Sequence, residues 1–267
     1  MSEKIQIGIA CGPNSEHYVN FLMESIKKTA SNLEQFEFLL GINTESVDKT
    51  ELEKNSNVFD IKIFDMFAQT NKPSKAHGKC LDNLLDMMDA KYGMIIDCDV
   101  AFLEKDWDIK LKSKLKDNVV IVGSDTDPTH YHYKNFPSWI MAMFLVDVVK
   151  ECGVSFCPDL EYAEINENNC KYFGQEPGTR VYLDTGWQLS YKLRKHGYEG
   201  LPLPMVSPRL GSKNLVFLED DMRGEEHHLD NIPISTHVGR SMSRNFHNNG
   251  IVKRWRKSVE EWLEKNK

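Results

Sequence analysis

The chain has 267 residues, of which 40% are hydrophobic and 27% charged. That is globular composition, long enough to bury a sizeable core without disulfides or structural metal. Its 33 Lys and Arg against 40 Asp and Glu leave a net charge of −7, which excludes a general nucleic-acid binder, because such a protein needs a basic surface to displace counterions.

Ile5 to Cys11 reads as a buried strand, followed by the turn Gly12-Pro13-Asn14-Ser15, with Ser15 placed to cap a helix running to about Ala30. Phe36 to Leu40 is a second strand and Val58 to Phe64 a third. Leu81, Leu84, Leu85 and Met88 recur at one helical face, with Asp82, Asp86 and Asp89 on the other. Gly93 stops this helix and Met94 starts a strand. The β-α-β-β-α-β order implies an α/β fold, a mainly parallel sheet flanked by helices.

Beyond residue 100, Val119–Val122 and Ile140–Val146 read as strands, and residues 153–180 as one long loop. Trp187–Lys195 reads as a helix and Ile232–His237 as a short strand. Val252, Trp255, Val259, Trp262 and Leu263 form the apolar stripe of a closing helix. No repeat or linker divides the chain, so a single domain over 1–267 is expected. The longest apolar run, Trp139 to Val146, is far short of the ~20 residues that span a bilayer, and the charged start leading into Ile5 does not read as a signal peptide. A cytoplasmic protein without a transmembrane segment is the expectation. Cys11, Cys80 and Cys98 sit singly in apolar segments and pack as small hydrophobes. Cys152, Cys157 and Cys170 lack zinc-ligand spacing, and His227-His228 reads as a solvated loop.

The chemistry concentrates at Asp97-Cys98-Asp99, directly after the apolar strand Met94-Ile95-Ile96. Side chains alternate along a strand, so both carboxylates are expected to point one way and Cys98 the other. Ligands of open α/β sheets bind outside the carboxyl ends of the strands. Two carboxylates there suit Mn²⁺ or Mg²⁺. Cys11, Gly12 and Asn14 follow the first strand, where a nucleotide meets the sheet edge, and Lys75, His77 and Lys79 open the helix before the D-x-D strand. From Gly239 to Lys257 there are six basic residues and no acid; Arg240 and Arg244 are the candidates for a diphosphate, and Lys253 to Lys257 read equally as a solvated helix face. Glu219-Asp220-Asp221, with Arg223, Glu225 and Glu226, reads as a solvated loop. Trp139 and Trp187 are candidates for stacking on sugar rings or for the core, and His130 to Tyr133 for a loop facing an acceptor.

Asp97-Cys98-Asp99 with its preceding strand, and with the helix His77-Gly78-Lys79-Cys80-Leu81-Asp82-Asn83-Leu84 before that, resembles the D-x-D region of GT-A-fold, family 2-like glycosyltransferases. The likeness covers roughly residues 4 to 240. It implies a Rossmann-like GT-A domain with a nucleotide-binding half over 1–100, an acceptor-binding half over 101–240 and a C-terminal helix over 241–267. It implies metal-dependent, inverting transfer of a hexosyl group from a nucleotide-diphosphate sugar to a glycan, glycolipid or small hydroxyl acceptor. Leu183-Asp184-Thr185 stands where such enzymes carry the catalytic base, which makes Asp184 the candidate, with a helix N-cap as the alternative. His237 occupies the position of their C-terminal, metal-ligating histidine, and Asn43 stands near the site of the usual nucleotide-binding carboxylate. Leu183 replaces the acid that normally precedes the base, and that departure favours the alternative of an inactive sugar-nucleotide-binding module. A nucleotidyltransferase is disfavoured because Gly12-Pro13-Asn14-Ser15 lacks a lysine and a glycine-rich phosphate loop, and a dehalogenase-type phosphotransferase because Ala101 stands at its Thr/Val position.

Overall fold

The computed structural model describes residues 4–67, 72–126, 133, 135–160, 162–218, 224–239 and 250–266. Arg240, Arg244, the acidic cluster 219–221 and residues 130–132 lie outside the described residues.

The first strand, β1 (Ile5–Cys11), buries Ile5, Ile7, Ile9 and Cys11 on one face, as a period of two requires. Helix α1 (Glu16–Thr29) packs there through Tyr18, Val19, Leu22, Met23 and Ile26. Ser15 stands at its N-cap position, but its side chain makes no capping bond. Strands β2 (Phe36–Ile42) and β3 (Asp60–Asp65) flank the short helix α2 (Lys49–Leu52). Helix α3 (Pro73–Met87) then leads to β4 (Tyr92–Ile96) and β5 (Val100–Phe102). After α4 (Trp107–Lys112) come β6 (Val119–Ser124), β7 (Met141–Leu145) and α5 (Val146–Glu151).

The central sheet has seven strands in the order β10-β6-β7-β4-β1-β2-β3, where β10 is Glu199–Leu203. Its strands are parallel except β7, which runs antiparallel to both β4 and β6. The mainly parallel sheet flanked by helices is as expected. Helices α1 and α4 cover one face. The other face carries α3, through Leu81, Leu84 and Leu85, together with α5 and helix α7 (Gln188–Lys195). Each such leucine contributes roughly 1.5–3 kcal/mol on burial. The sheet draws β6, β7 and β10 from beyond residue 100, so both parts of the chain build one core.

Gly93 does not stop α3, which already ends at Met87, but lies inside β4, and three further segments differ from the sequence reading. Within 153–180, strand β8 (Tyr162–Glu164) pairs with β9 (Arg180–Tyr182), and the short helix α6 (Cys170–Phe173) lies between them. Their small core is Ile165, Phe173, Val181, Leu183 and Trp187, so Trp187 is a packing residue.

The second difference is an antiparallel sheet of order β11-β12-β13-β5, with β11 Met205–Val206, β12 Gly224–Leu229 and β13 Ile232–Val238. Strand β12 contains Glu225, Glu226, His227 and His228, all buried, so they do not form the solvated loop their polarity suggested. Most of their polar atoms are paired: Glu226 accepts from the N–H groups of Leu215 and Val216 and pairs with His228, whereas the buried Nε2 of His227 has no partner among the described residues. The closing helix, α8 (Ile251–Lys265), seals this sheet through Ile251, Trp255, Val259 and Leu263. The Trp255 indole N–H donates to Thr236 Oγ1 at 3.1 Å.

The third difference is at the D-x-D itself. Strand β4 ends at Ile96, and Cys98 and Asp99 lie in a tight turn into β5.

Candidate functional site

The carboxyl ends of β1, β2 and β4 open into a cleft of about 510 Å³. Gly12 and Asn43 line it from the first two strand ends, and His77 from the first turns of α3. A Cβ on Gly78 would come within 2.6 Å of the Cys157 backbone, so glycine there allows the start of α3 to press against that segment.

Asp97 and Asp99 enter from the β4–β5 turn. The Asp97 N–H donates to Ile140 O at 2.8 Å, which extends the contact of β4 with the segment entering β7. The Val238 N–H donates to Asp99 O at 3.2 Å, which ties the turn to β13. The register of β13 on β5 places His237 opposite Val100, beside Asp99. His237 Nε2 lies 3.3 Å from Asp99 Oδ1 and 4.0 Å from Asp97 Oδ2. One donor atom from each of the three residues lies within 4.8 Å of the others. The turn therefore brings the carboxylates together, where strand alternation had been the expected cause.

These residues suit a divalent cation. Two ligands on one ion at about 2.1 Å stand about 3 Å apart when adjacent and about 4 Å when opposite. The Nε2–carboxylate separations match that range, and the carboxylate-rich donor set suits Mg²⁺ or Mn²⁺. Burial and the repelling Asp99 raise the Asp97 carboxyl well above the usual range. Burial opposes the His237 imidazolium, but Asp99 and Glu225 outweigh it and raise its pKa well above the ordinary value. In both cases protons supply the positive charge that the acidic pocket favours.

Glu225 and Arg209 complete this wall. The strand register sets Glu225 directly opposite His237, and Glu225 Oε2 lies 3.1 Å from His237 Nδ1. With Nδ1–H donated to this carboxylate, loss of the Nε2 proton to a bound cation would turn the Nε2 lone pair towards Asp97 and Asp99. The other oxygen of Glu225 accepts from Arg209 Nη2 at 2.6 Å. Burial alone would raise the Glu225 carboxyl, but His237 and Arg209 hold it below its ordinary value. Arg209 is the only Lys or Arg among the described residues lining the cleft.

Asp184 faces the cleft from the segment between β9 and α7. Its Oδ1 accepts the Thr185 N–H at 2.8 Å, and Oδ2 has no partner among the described residues. The N-cap of α7 is Trp187, so Asp184 does not cap that helix. Leu183 points instead into the small apolar core, which gives its apolar character a packing reason. Gly186, at φ +75°, has Tyr133 and Trp139 against it: a Cβ would meet the Tyr133 hydroxyl at 2.7 Å. Glycine here therefore serves packing, and Trp139 lines the cleft beside His77, ring to ring at 4.6 Å. Burial pushes His77 down to about 4, against the pull of Asp184 and Asp99, so it is neutral at ordinary pH.

The site thus gathers Gly12, Asn43, His77, Asp97, Asp99, Asp184 and His237 from the sequence candidates. Cys11 points into the core, where burial raises its thiol to about 12. Asn14 is exposed with a left-handed backbone, φ 59°, and does not line the cleft. Lys75 and Lys79 also lie outside the lining, the first half-buried and the second exposed. Arg209 and Glu225 were not among the candidates. Gly239, also in the lining, directly precedes Arg240 in the chain.

The arrangement is that of a GT-A-type glycosyltransferase fold. The chain is similar to the mannosyltransferase PcManGT from Pyrobaculum calidifontis, solved in complex with GDP-Man and Mn²⁺, with TM-score 0.53 and 13% identity. That match covers 75% of this chain and 55% of the other, so the chain spans about half the length of this neighbour. S. aureus TarS, residues 1–349, matches at TM-score 0.43 and 16% identity over 59% of this chain and 51% of that one. Glucosyl-3-phosphoglycerate synthase from Mycobacterium tuberculosis matches at 0.39 and 14% over 55% of this chain and 58% of that one. No protein-family profile and no curated sequence matches the chain. No helix among the described residues is long and apolar enough to cross a membrane.

Proposed function

We propose that the protein is a metal-dependent, inverting glycosyltransferase that moves a hexosyl group from a nucleotide-diphosphate sugar to a hydroxyl acceptor. The observation that carries this reading is the convergence of Asp97, Asp99 and His237 in a cleft whose other wall presents Asp184. The GDP-Man and Mn²⁺ bound by the mannosyltransferase of similar fold agree with it.

In this reading the nucleoside lies across the ends of β1 and β2, against Gly12 and Asn43. Asp97, Asp99 and His237 would hold Mn²⁺ or Mg²⁺, which would supply positive charge against the donor diphosphate. Arg209 adds a fixed cation to that wall, and Arg240 and Arg244 are assigned to the same phosphates. Asp184 takes the proton from the acceptor hydroxyl through Oδ2 as the oxygen attacks the anomeric carbon. A single displacement of this kind inverts the anomeric centre. Neutral His77 and the Trp139 ring offer a hydrogen-bonding edge and an apolar face to the sugar between the two acidic walls.

The test is a donor screen. Nucleotide sugars are incubated with protein and Mn²⁺, and release of nucleoside diphosphate is followed with and without a chelator. Turnover that stops in chelator and in Asp99→Asn is expected. Full turnover in excess chelator contradicts the metal assignment. Tight donor binding with no release from any donor favours the inactive sugar-nucleotide-binding alternative.

A further inference from the structure

The β8–β9 hairpin presents an aromatic face to solvent. Tyr162 and Tyr182 are direct cross-strand partners, 44% and 50% exposed, with ring centroids 5.4 Å apart. The next cross-strand pair on this face, Glu164 and Arg180, forms an exposed ion pair, and the Arg180 guanidinium lies 4.2 Å over the Tyr162 ring. A two-stranded hairpin is marginal alone. Here Val181 and Leu183 anchor it by pointing into the apolar core with Phe173 and Trp187. Arg180 and Tyr182 therefore share the opposite side, and Asp184 follows two residues beyond the end of β9. Two residues of chain span at most about 7 Å, so Tyr182 stands within that distance of Asp184 along the backbone. Scattered exposed apolar residues need no explanation. Two tyrosines paired across strands, one of them two residues from a cleft carboxylate, are a different arrangement.

The geometry points to an acceptor subsite for a carbohydrate chain on this hairpin, with the sugar rings on Tyr162 and Tyr182 and the terminal hydroxyl at Asp184. The inference rests on the proposed glycosyl transfer and deepens it, because it makes the acceptor a saccharide of at least two or three units. The C–H face of a sugar ring complements the electron-rich face of an aromatic ring, and the tyrosine hydroxyls and the Glu164–Arg180 rim match its hydroxyls. The Tyr162 ring, already ordered by Arg180, loses little freedom on binding. Closeness to the cleft residue Asp184 along the chain distinguishes this occupant from a lipid surface, which would not require it.

The test is affinity electrophoresis in native gels cast with mannan, dextran, laminarin, xylan or galactan, with Mn²⁺ binding measured by electron paramagnetic resonance on the same samples. Retardation of the wild type in at least one gel is expected. Tyr162→Ala and Tyr182→Ala should each weaken it about tenfold, as the loss of one stacked ring predicts, while both phenylalanine variants retain it and Mn²⁺ binding is unchanged in all four. The inference is overturned if no gel retards the wild type, if the alanine variants migrate as wild type does, or if Tyr→Leu variants bind as well as phenylalanine ones, since that result marks apolar adhesion without stacking. Wild type that is retarded but binds no Mn²⁺ removes the donor-site reading and leaves the hairpin subsite. Wild type that binds Mn²⁺ but is retarded in no gel does the reverse.

Discussion

Asp184 lines the cleft with one oxygen committed to its own turn and the other without a partner among the described residues, and that division makes its role testable by a single atom exchange. Asp184→Asn keeps the turn acceptor and removes the base. Transfer should fall by ~10²–10⁴, with Mn²⁺ and nucleotide binding unchanged. Transfer at the wild-type rate would leave Asp184 a turn residue. Glu225 makes the complementary prediction. It touches no assigned ligand but fixes His237 Nδ1 with one oxygen and Arg209 with the other. Glu225→Gln should weaken Mn²⁺ roughly 10–100-fold, the usual cost of losing a carboxylate behind a metal-binding histidine. Direct Mn²⁺ titration checks this, and an unchanged affinity would separate Glu225 from the metal site. Asp97, Asp99 and His237 were legible because D-x-D after an apolar strand and a late histidine fit a known pattern. Glu225 and Arg209 were not, because their place in the cleft arises from pairing across strands and loops. No spacing along the chain encodes that Glu225 lies opposite His237.

At the level of elements, the alternating apolar strands and the α3 stripe were readable, because burial on one face imposes a period. Strand β12 was not, because Glu225 to His228 bury four polar side chains in sequence. One signal was present: Asp230 and Asn231 both adopt positive φ, 53° and 67°, between β12 and β13. Two such residues make the primed turn that closes a hairpin, and Asp-Asn between Leu229 and Ile232 pointed to it. The β8–β9 hairpin escaped because its strands have three residues each, too short for a period to show. The α8 stripe was legible, but not the β-sheet it seals. Trp255 packs in that cluster and hydrogen-bonds Thr236, the neighbour of His237. Trp255→Ala should therefore do two things. Stability should fall by about 3–5 kcal/mol in urea unfolding, as for a large buried aromatic. Mn²⁺ affinity should fall too, since β13 loses the support that holds His237. A stability loss with unchanged Mn²⁺ affinity would show that β12 and β5 alone fix the histidine.

Over the whole molecule, the buried polar layer that builds the site also sets the response to acid. His227 is fully buried in β12 beside Glu225 and His237, with Nδ1 3.2 Å from Ser235 Oγ. Burial lowers its pKa to about 4, which the pull of Glu225 only partly offsets. The unfolded chain titrates near the ordinary value of about 6.5. Above that pH the histidine is neutral in both states and its contribution is intact. As pH falls from about 6.5 towards 4, the unfolded state takes up a proton that the fold refuses, and stability is lost through that window. The difference corresponds to about 3 kcal/mol for one such group. His77, also lowered to about 4 by burial, acts in the same direction. Asp97, whose carboxyl the fold holds well above its ordinary value, takes up its proton in the folded state first and opposes this loss, so the histidine contribution is read by comparing urea midpoints of wild type and a variant between pH 6.5 and 4. His227→Leu should begin lower, having lost the Ser235 contact, yet fall less steeply across the window. Parallel profiles for the two proteins would show that His227 accepts its proton in the folded state, and would place the acid sensitivity elsewhere in the chain.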